Sequence, residues 1–234
     1  MAGGMEVERV ALPIERLTTA ERVADALRER LLSGAIPPGT PMRDVELSAQ
    51  AGVSRTTIRE ALALLAREGL LTHALHRGME VTRLAPEDVR DIYAMRRVLE
   101  RAGAEALITG TTAMLEDPSE AVAAMTHATA RRDRRRVVEA DAAFHAAIVA
   151  ALGNQRLQAV MTGALKELRL VLSVTDRAYD DLDWHLGEHQ SLLALLRERS
   201  PDAVRALEEH LTHSELLVCA ALEMTAARSG QGAR

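Results

Sequence analysis

From Pro86 to about residue 226 the chain repeats apolar residues at the period of an α-helix and offers no convincing strand. This limits the fold more than any other feature. Segments of that kind bury their apolar stripes only against one another, which predicts an antiparallel helical bundle with helices near 86–109, 118–131, 134–152, 155–176, 181–199 and 201–226. The starts are marked locally. Pro86-Glu87-Asp88 puts a proline in the first turn and acids at the positive end of a helix, and Asp117-Pro118-Ser119-Glu120 and Ser200-Pro201-Asp202 repeat the device. Aromatic residues make up only 2% of the chain, too few for a sandwich or barrel, while the Ala-, Leu- and Val-rich apolar fraction suits helices on helices. The tail from Ser229 is expected to fray.

The first third is organised differently. Residues 1–17 are expected to form a flexible arm. Thr18-Thr19-Ala20-Glu21 has capping-box spacing ahead of Val23, Ala24, Leu27 and Leu31. Gly34 ends that helix, and Ile36-Pro37-Pro38-Gly39-Thr40-Pro41 reads as a rigid turn. A short helix around Asp44–Ala51 stops at Gly52, and Ser54 caps another that turns Ile58, Ala61, Leu62 and Leu65 inward. Leu70–His73 and Met79–Arg83 then read as two strands joined across Leu75-His76-Arg77-Gly78. Helix, Gly-containing turn, helix and hairpin follow the order of a winged helix-turn-helix. The fold class is therefore mainly α, with a head over 1–84 and an all-helical domain over 85–228.

A net charge of −5 argues against nucleic acid only as an average. Through Arg83 the chain has 11 Arg against 11 acids, and the remainder, with 18 bases against 23 acids, holds the whole deficit. DNA contact must come from a few placed arginines. No run approaches the roughly 18 apolar residues of a membrane span, and acids occupy the N-terminus where a signal peptide carries bases. Cys219 is the sole cysteine, so no internal disulfide forms. A cytoplasmic setting without membrane contact is expected.

On the second helix of the pair, Arg55, Thr56 and Arg59 lie opposite the apolar face. Arginines at a helix N-terminus fork onto guanine O6 and N7, while Ser54, the Thr hydroxyls and free N–H groups suit phosphates. Arg77-Gly78 at the hairpin tip would reach a minor groove. By themselves these residues also fit an ordinary solvated face. In order, Leu27-Arg28-Glu29-Arg30-Leu31-Leu32-Ser33-Gly34, Pro38-Gly39, Glu46-Leu47, Gly52-Val53-Ser54-Arg55-Thr56-Thr57-Ile58-Arg59-Glu60-Ala61-Leu62, Glu68-Gly69-Leu70 and Arg77-Gly78 resemble the GntR superfamily of bacterial transcription regulators. The resemblance implies a homodimer on a short palindrome of double-stranded DNA. It places Arg43, Ser54, Arg55, Thr57, Arg59, Arg77 and Gly78 at DNA-contact positions, with Thr57 where proline is commoner.

In the second domain Asp141 and His145 lie four apart on the otherwise apolar stripe Val138, Asp141, His145, Ile148, Leu152. An ionisable pair on a core-facing stripe costs several kcal/mol unless satisfied. His189, beside Leu186, Leu192 and Leu193, and His210, beside Leu207 and Ser214, would complete one carboxylate and three imidazoles from three helices, a set able to hold a divalent metal. Each histidine alone also suits a carbonyl-bonded core position, and His185 or His213 could substitute or support. His73, His76 and His127 read as surface. Arg96 falls on the inward stripe Val89, Ile92, Arg96, Leu99, Gly103, with Tyr93, Arg97 and Arg101 facing out. A buried guanidinium there needs either an internal carboxylate or a ligand carboxylate. Arg169, beside Leu165 and Leu172, is a second candidate for the same pocket.

Asp141-Ala142-Ala143-Phe144-His145, Glu188-His189-Gln190-Ser191-Leu192-Leu193, Glu209-His210-Leu211 and Arg96-Arg97-Val98-Leu99-Glu100 resemble the FCD domain, the helical ligand-binding domain of the FadR subfamily. The resemblance implies Asp141, His145, His189 and His210 as metal ligands and argues against a fatty-acyl effector. Zn leads among divalent ions, and Ni, Mn, Co and Fe also accept three nitrogens and one oxygen. The function expected is a transcriptional repressor whose operator affinity responds to a small carboxylate effector at the metal. A regulator in which the ion itself is the signal is the alternative. A metal-dependent enzyme is remote, because Glu188, beside His189, is turned away on its helix as a general base.

Overall fold

The structure, a computed structural model, describes residues 17–74, 78–173 and 181–231, with side chains to Met224. Helix α1 (Thr19–Leu32) opens on the expected capping box: Thr18 Oγ1 accepts from the Glu21 N–H at 3.2 Å, and Glu21 Oε2 accepts from the Thr18 N–H at 2.7 Å. Helix α2 (Asp44–Ala51) ends at Gly52 in the left-handed region, φ 64°. Helix α3 (Arg55–Arg67) is capped by Ser54 and buries Ile58, Ala61, Leu62 and Leu65 in one cluster with Ala24, Leu27 and Leu31 of α1. Strands β1 (Leu71–Ala74) and β2 (Gly78–Val81) pair antiparallel, Leu71 opposite Val81 and Ala74 opposite Gly78. The turn around Pro37–Pro41 does more than reverse the chain. Gly39 N–H donates to Val81 O at 2.8 Å, Val81 N–H to Thr40 O at 3.0 Å and Met42 N–H to Met79 O at 2.8 Å. The turn thereby satisfies the outer edge of β2 and steers the chain into α2.

Six helices follow among the described residues: α4 (Pro86–Thr109), α5 (Glu116–Ala130), α6 (Arg134–Ala150), α7 (Gln155–Leu172), α8 (Leu182–Arg197) and α9 (Asp202–Gln231). A 3-10 turn over Thr112–Leu115 feeds α5, which starts two residues ahead of the expected 118 and keeps Pro118 in its first turn. Helix α9 runs through Gln231, beyond the point where fraying was expected. Helix α7 stops at Leu172, short of the expected 176, and the 174–176 part of that expectation lies outside the described residues, as does all but Leu17 of the expected arm. Helix α4 packs between α6 and α9, and α5 packs on α6 and α8.

The buried face of α4 is Val89, Tyr93, Arg96, Glu100, Gly103, Ala104 and Leu107. Tyr93 thus faces inward and not, as expected, outward. Its ring covers the buried Arg96 guanidinium, 4.7 Å from carbon to ring centroid, and so helps bury a charge that needs partners. Where α4 crosses α6, a Cβ on Gly103 would stand 2.2 Å from the carbonyl oxygen of Ile148, so the two backbones touch. The head is joined to the bundle through α7. Leu170 is buried in the head's own apolar cluster, and Glu68, at the C-terminal end of α3, accepts from Arg28 Nη2 and from Lys166 Nζ of α7, both at 2.6 Å.

Candidate functional site

On the head, the start of α3 presents Arg55, Thr56 and Arg59 to solvent. Both arginines lean on one carboxylate of α2: Arg59 Nε donates to Asp44 Oδ2 at 2.6 Å and Arg55 Nη2 to the same oxygen at 3.2 Å. The Arg59 hydrogen bond, first among the influences, holds the Asp44 carboxyl below its usual range. Arg59 uses only Nε in this contact, which leaves both terminal amino groups for a ligand. Ser54 Oγ accepts from the Thr57 N–H at 3.1 Å and lies 2.8 Å from Thr57 Oγ1, so both hydroxyls serve the cap. Arg43 occupies the N-cap position of α2 without a side-chain capping hydrogen bond and pairs with Glu46 at 3.0 Å. Gly78 is exposed at the start of β2 with φ 80°, and Arg77 lies outside the described residues.

The bundle brings Asp141 and His145 of α6, His189 of α8 and His210 of α9 together, with one candidate ligand atom from each within 4.8 Å of the others. All four residues are buried, and Phe144 packs edge-on against His145 and His189. The proton positions follow from the partners. His145 Nδ1 lies 2.5 Å from Glu100 Oε2, and His189 Nδ1 lies 2.8 Å from the carbonyl of His185. Both partners only accept, so each Nδ1 carries the hydrogen, and in the neutral ring each Nε2 keeps a lone pair. His189 Nε2 is 2.9 Å from Asp141 Oδ1 yet makes no hydrogen bond, and His210 Nδ1 is likewise buried without one. With its ring neutral, His189 turns a lone pair toward the Asp141 oxygen, an approach that a cation between them would relieve, and the set of one carboxylate and three imidazoles fits a metal ion.

Charge in the chamber is divided. Burial pushes the imidazoles of His189 and His210 below their usual value, and for His210 the neighbouring His189 and His145 push further the same way. Burial is also the largest single influence on His145, but Glu100 and Asp141 together overcome it and raise that imidazole. Asp141 is held well below the carboxylate range because contacts with His145, His185 and His189 overcome its desolvation. Glu100, fully buried, was quoted above only as part of a motif. It accepts from Arg96 Nε at 2.7 Å while serving His145, so one carboxylate holds a guanidinium and a candidate ligand together. The signal was its place four residues after Arg96 on an inward stripe.

Arg96 is buried beside this chamber and its Nη2 has no hydrogen-bond partner. Of the two alternatives for Arg96, the internal carboxylate is present as Glu100, and one donor is left over. Arg169 is placed elsewhere than expected. It pairs with Glu139 at 3.0 Å and lines a cleft between α1, α6 and α7. Helix α7 has apolar neighbours on two buried sides, and Arg169 emerges toward the head. His185 Nε2 bonds Asp141 Oδ1 at 3.1 Å, whereas His213 is exposed and packs on Trp184. Glu188 is nearer than its neighbour His189 implied, with Oε2 4.0 Å from His210 Nδ1, beyond hydrogen-bond range. Among the described residues no helix is long and apolar enough to cross a membrane.

Residues 91–213 match the FCD domain model and residues 19–81 the model of bacterial regulatory proteins, gntR family. A probable D-xylose utilization operon transcriptional repressor of Paenarthrobacter nicotinovorans is 30% identical over 93% of both chains. The gluconate operon transcriptional repressor of Bacillus licheniformis is 29% identical, covering 81% of this chain and 80% of that protein. Among solved structures, a GntR transcriptional regulator from Rhodococcus sp. RHA1 superimposes with a TM-score of 0.78 at 30% identity, covering 86% of this chain and 98% of that one.

Proposed function

Because the chain belongs to the gntR family of bacterial regulatory proteins and carries the FCD domain of its FadR-type members, it is a DNA-binding transcriptional regulator, and we propose that it is a metal-dependent repressor released by a small carboxylate. The head over 1–84 reads a short palindrome as part of a homodimer. The domain over 85–228 receives the effector. Asp141, His145, His189 and His210 hold a divalent ion, Zn first among those that suit three nitrogens and one oxygen. The ion offers Lewis acidity toward a carboxylate. The chain's own part is to orient the imidazoles through Glu100 and the His185 carbonyl, and to keep water out with Phe144 and Tyr93. Arg96 Nη2, buried beside the chamber without a partner, is the observation that carries the carboxylate reading, since a guanidinium donor without an acceptor matches an anionic ligand. Gluconate, named for the operon of one relative, is of that class.

Operator binding measured against metal and candidate acids in separate titrations decides the reading. Release by gluconate or another small carboxylate only when metal is bound is the expected outcome. A change of affinity with metal alone would make the ion the signal. His189→Ala is expected to bring bound metal to background while the helical circular dichroism stays, because the ligands stand on helices already packed. Full retention would shift the site toward His185.

Arg55, Thr56 and Arg59 read bases, with Arg43, Ser54, Thr57, Arg77 and Gly78 at the backbone or minor groove. Arg59→Ala is expected to weaken operator binding by about 1–3 kcal/mol, roughly 5- to 150-fold, and to relax base preference. Metal content should be unchanged. Equal operator affinity of mutant and parent removes Arg59 from the readout.

A further inference from the structure

An ionised Asp44 has no hydrogen to donate to DNA, yet it stands beneath two of the arginines that do. Helix α2 begins with it, and that start is fixed from behind. Met42 is buried and its N–H donates to Met79 O of β2 at 2.8 Å, while Pro41 is bridged to Glu80. The carboxylate therefore keeps a set place beside the hairpin and reaches across to α3. There Arg59 Nε donates to Asp44 Oδ2 at 2.6 Å, Arg55 Nη2 donates to the same oxygen at 3.2 Å, and Arg55 Nε lies 3.4 Å from it. The exposures are unequal. The Asp44 side chain is 22% exposed against 55% for Arg55 and 66% for Arg59, so a largely covered anion anchors two side chains whose tips stand in solvent. Among the described residues neither arginine pairs with another carboxylate. Asp44 and Arg59 line a cleft of about 750 Å³ that runs from α2 and α3 to His73 and Gly78 of the hairpin.

An acid in such a place weakens binding to nucleic acid as such, because it faces the phosphates that the arginines attract. What it contributes is orientation. An arginine free along its whole length samples many rotamers and meets phosphate, sugar or base alike. One gripped at Nε holds its two terminal amino groups in a set plane, the geometry of a fork onto guanine O6 and N7.

We propose that Asp44 is a positioning residue for base readout, lowering affinity for DNA in general while fixing the guanidiniums of Arg59 and Arg55 against particular base edges. This rests on the base-reading role given to the two arginines. Arg59, held at Nε alone, keeps both terminal amino groups for the fork, and Arg55, held along Nε and Nη2, keeps Nη1 clear of the carboxylate. Specificity is a difference between two affinities, and Asp44 acts on both of them.

The test uses a duplex that the full parent chain selects from a randomised pool and a scrambled duplex of the same composition, at constant ionic strength. Asp44→Asn, close in shape and uncharged, is expected to bind the selected duplex more weakly and the scrambled one more tightly. The ratio of the two affinities should fall at least about fivefold. Base substitutions in the selected duplex should lose their effect at positions where they also lose it in Arg59→Ala or Arg55→Ala. In the Arg59→Ala background, Asp44→Asn should lower the ratio by a smaller factor than in the parent, because residues that act through one another are not additive. The proposal is overturned by a fall in the ratio of less than about fivefold, which includes two affinities that rise or fall together. It is equally overturned by the same factor in the Arg59→Ala background, which would mean that Asp44 acts through the fold of α2. A parent that selects no duplex removes the base-reading role itself and the proposal with it, whereas a parent and an Asp44→Asn variant that discriminate alike overturn the proposal alone.

Discussion

Glu100→Ala is expected to destabilise the metal-free protein by about 3–5 kcal/mol, the usual effect of breaking a buried ion pair from one side. Its carboxylate is fully buried and holds both Arg96 Nε and His145 Nδ1. Without it the guanidinium, 3% exposed, keeps a full charge away from water with only the Tyr93 ring and more distant groups to balance it. The measurement is the urea midpoint of the variant against the parent, both stripped with chelator. Glu105→Ala, one turn further along the same helix, is the control. Its pairing with Arg101 is solvent-exposed on both sides, and its removal should change stability by less than about 1 kcal/mol. An effect of Glu100→Ala as small as that of Glu105→Ala would mean that Arg96 and His145 find other partners.

Bound metal is expected to leave between about pH 6.5 and pH 5, and metal-free stability should fall over the same window. His189 and His210 have folded values below the unfolded 6.5, so the unfolded chain takes up protons first as pH drops. Their contribution is complete above 6.5 and is lost as pH falls toward the folded values. His145 runs the other way, since its folded value is raised; its contribution is present below 6.5 and is lost as pH rises through the folded value. Its window therefore lies above 6.5 and does not offset the loss between 6.5 and 5. Asp141 and Glu100, both depressed, keep their stabilising share until pH falls through the ordinary carboxylate range. Protons also compete directly for the imidazole lone pairs that coordinate. Elemental analysis after dialysis at pH 7.5, 6 and 5 measures the release. Unchanged metal content at pH 5 would count against histidine coordination.

The parts of this fold that could be read in advance are those decided within a few residues. Thr18 with Glu21, Ser54 and Gly52 mark helix ends through their own hydrogen bonds or backbone angles, and the helices begin or end there. The pairing of Asp141 with His145 was visible because four residues on one apolar stripe are neighbours whatever else the chain does. His189 and His210 stood out beside the apolar residues of their own helices, but they join the pair only through tertiary packing, and it was likeness to a family that chose them as ligands over His185 and His213. Glu100 escaped notice because its second partner, His145, stands on another helix. Arg169 was misplaced for a related reason. Its apolar neighbours signalled burial, but α7 is covered by the bundle on one side and by the head on another, and composition does not say which side a residue takes.

The crossing of α4 and α6 at Gly103 sets a tolerance for everything one turn away. Glu100 and His145 each stand three residues before the touching pair, Gly103 and Ile148, so the 2.5 Å approach of carboxylate to imidazole is measured from a backbone contact that admits only a hydrogen atom. A single methyl group at that crossing would act as a spacer and draw the proton acceptor away from the ring. The chemistry of the chamber is in that sense gauged by an atom that the sequence leaves out.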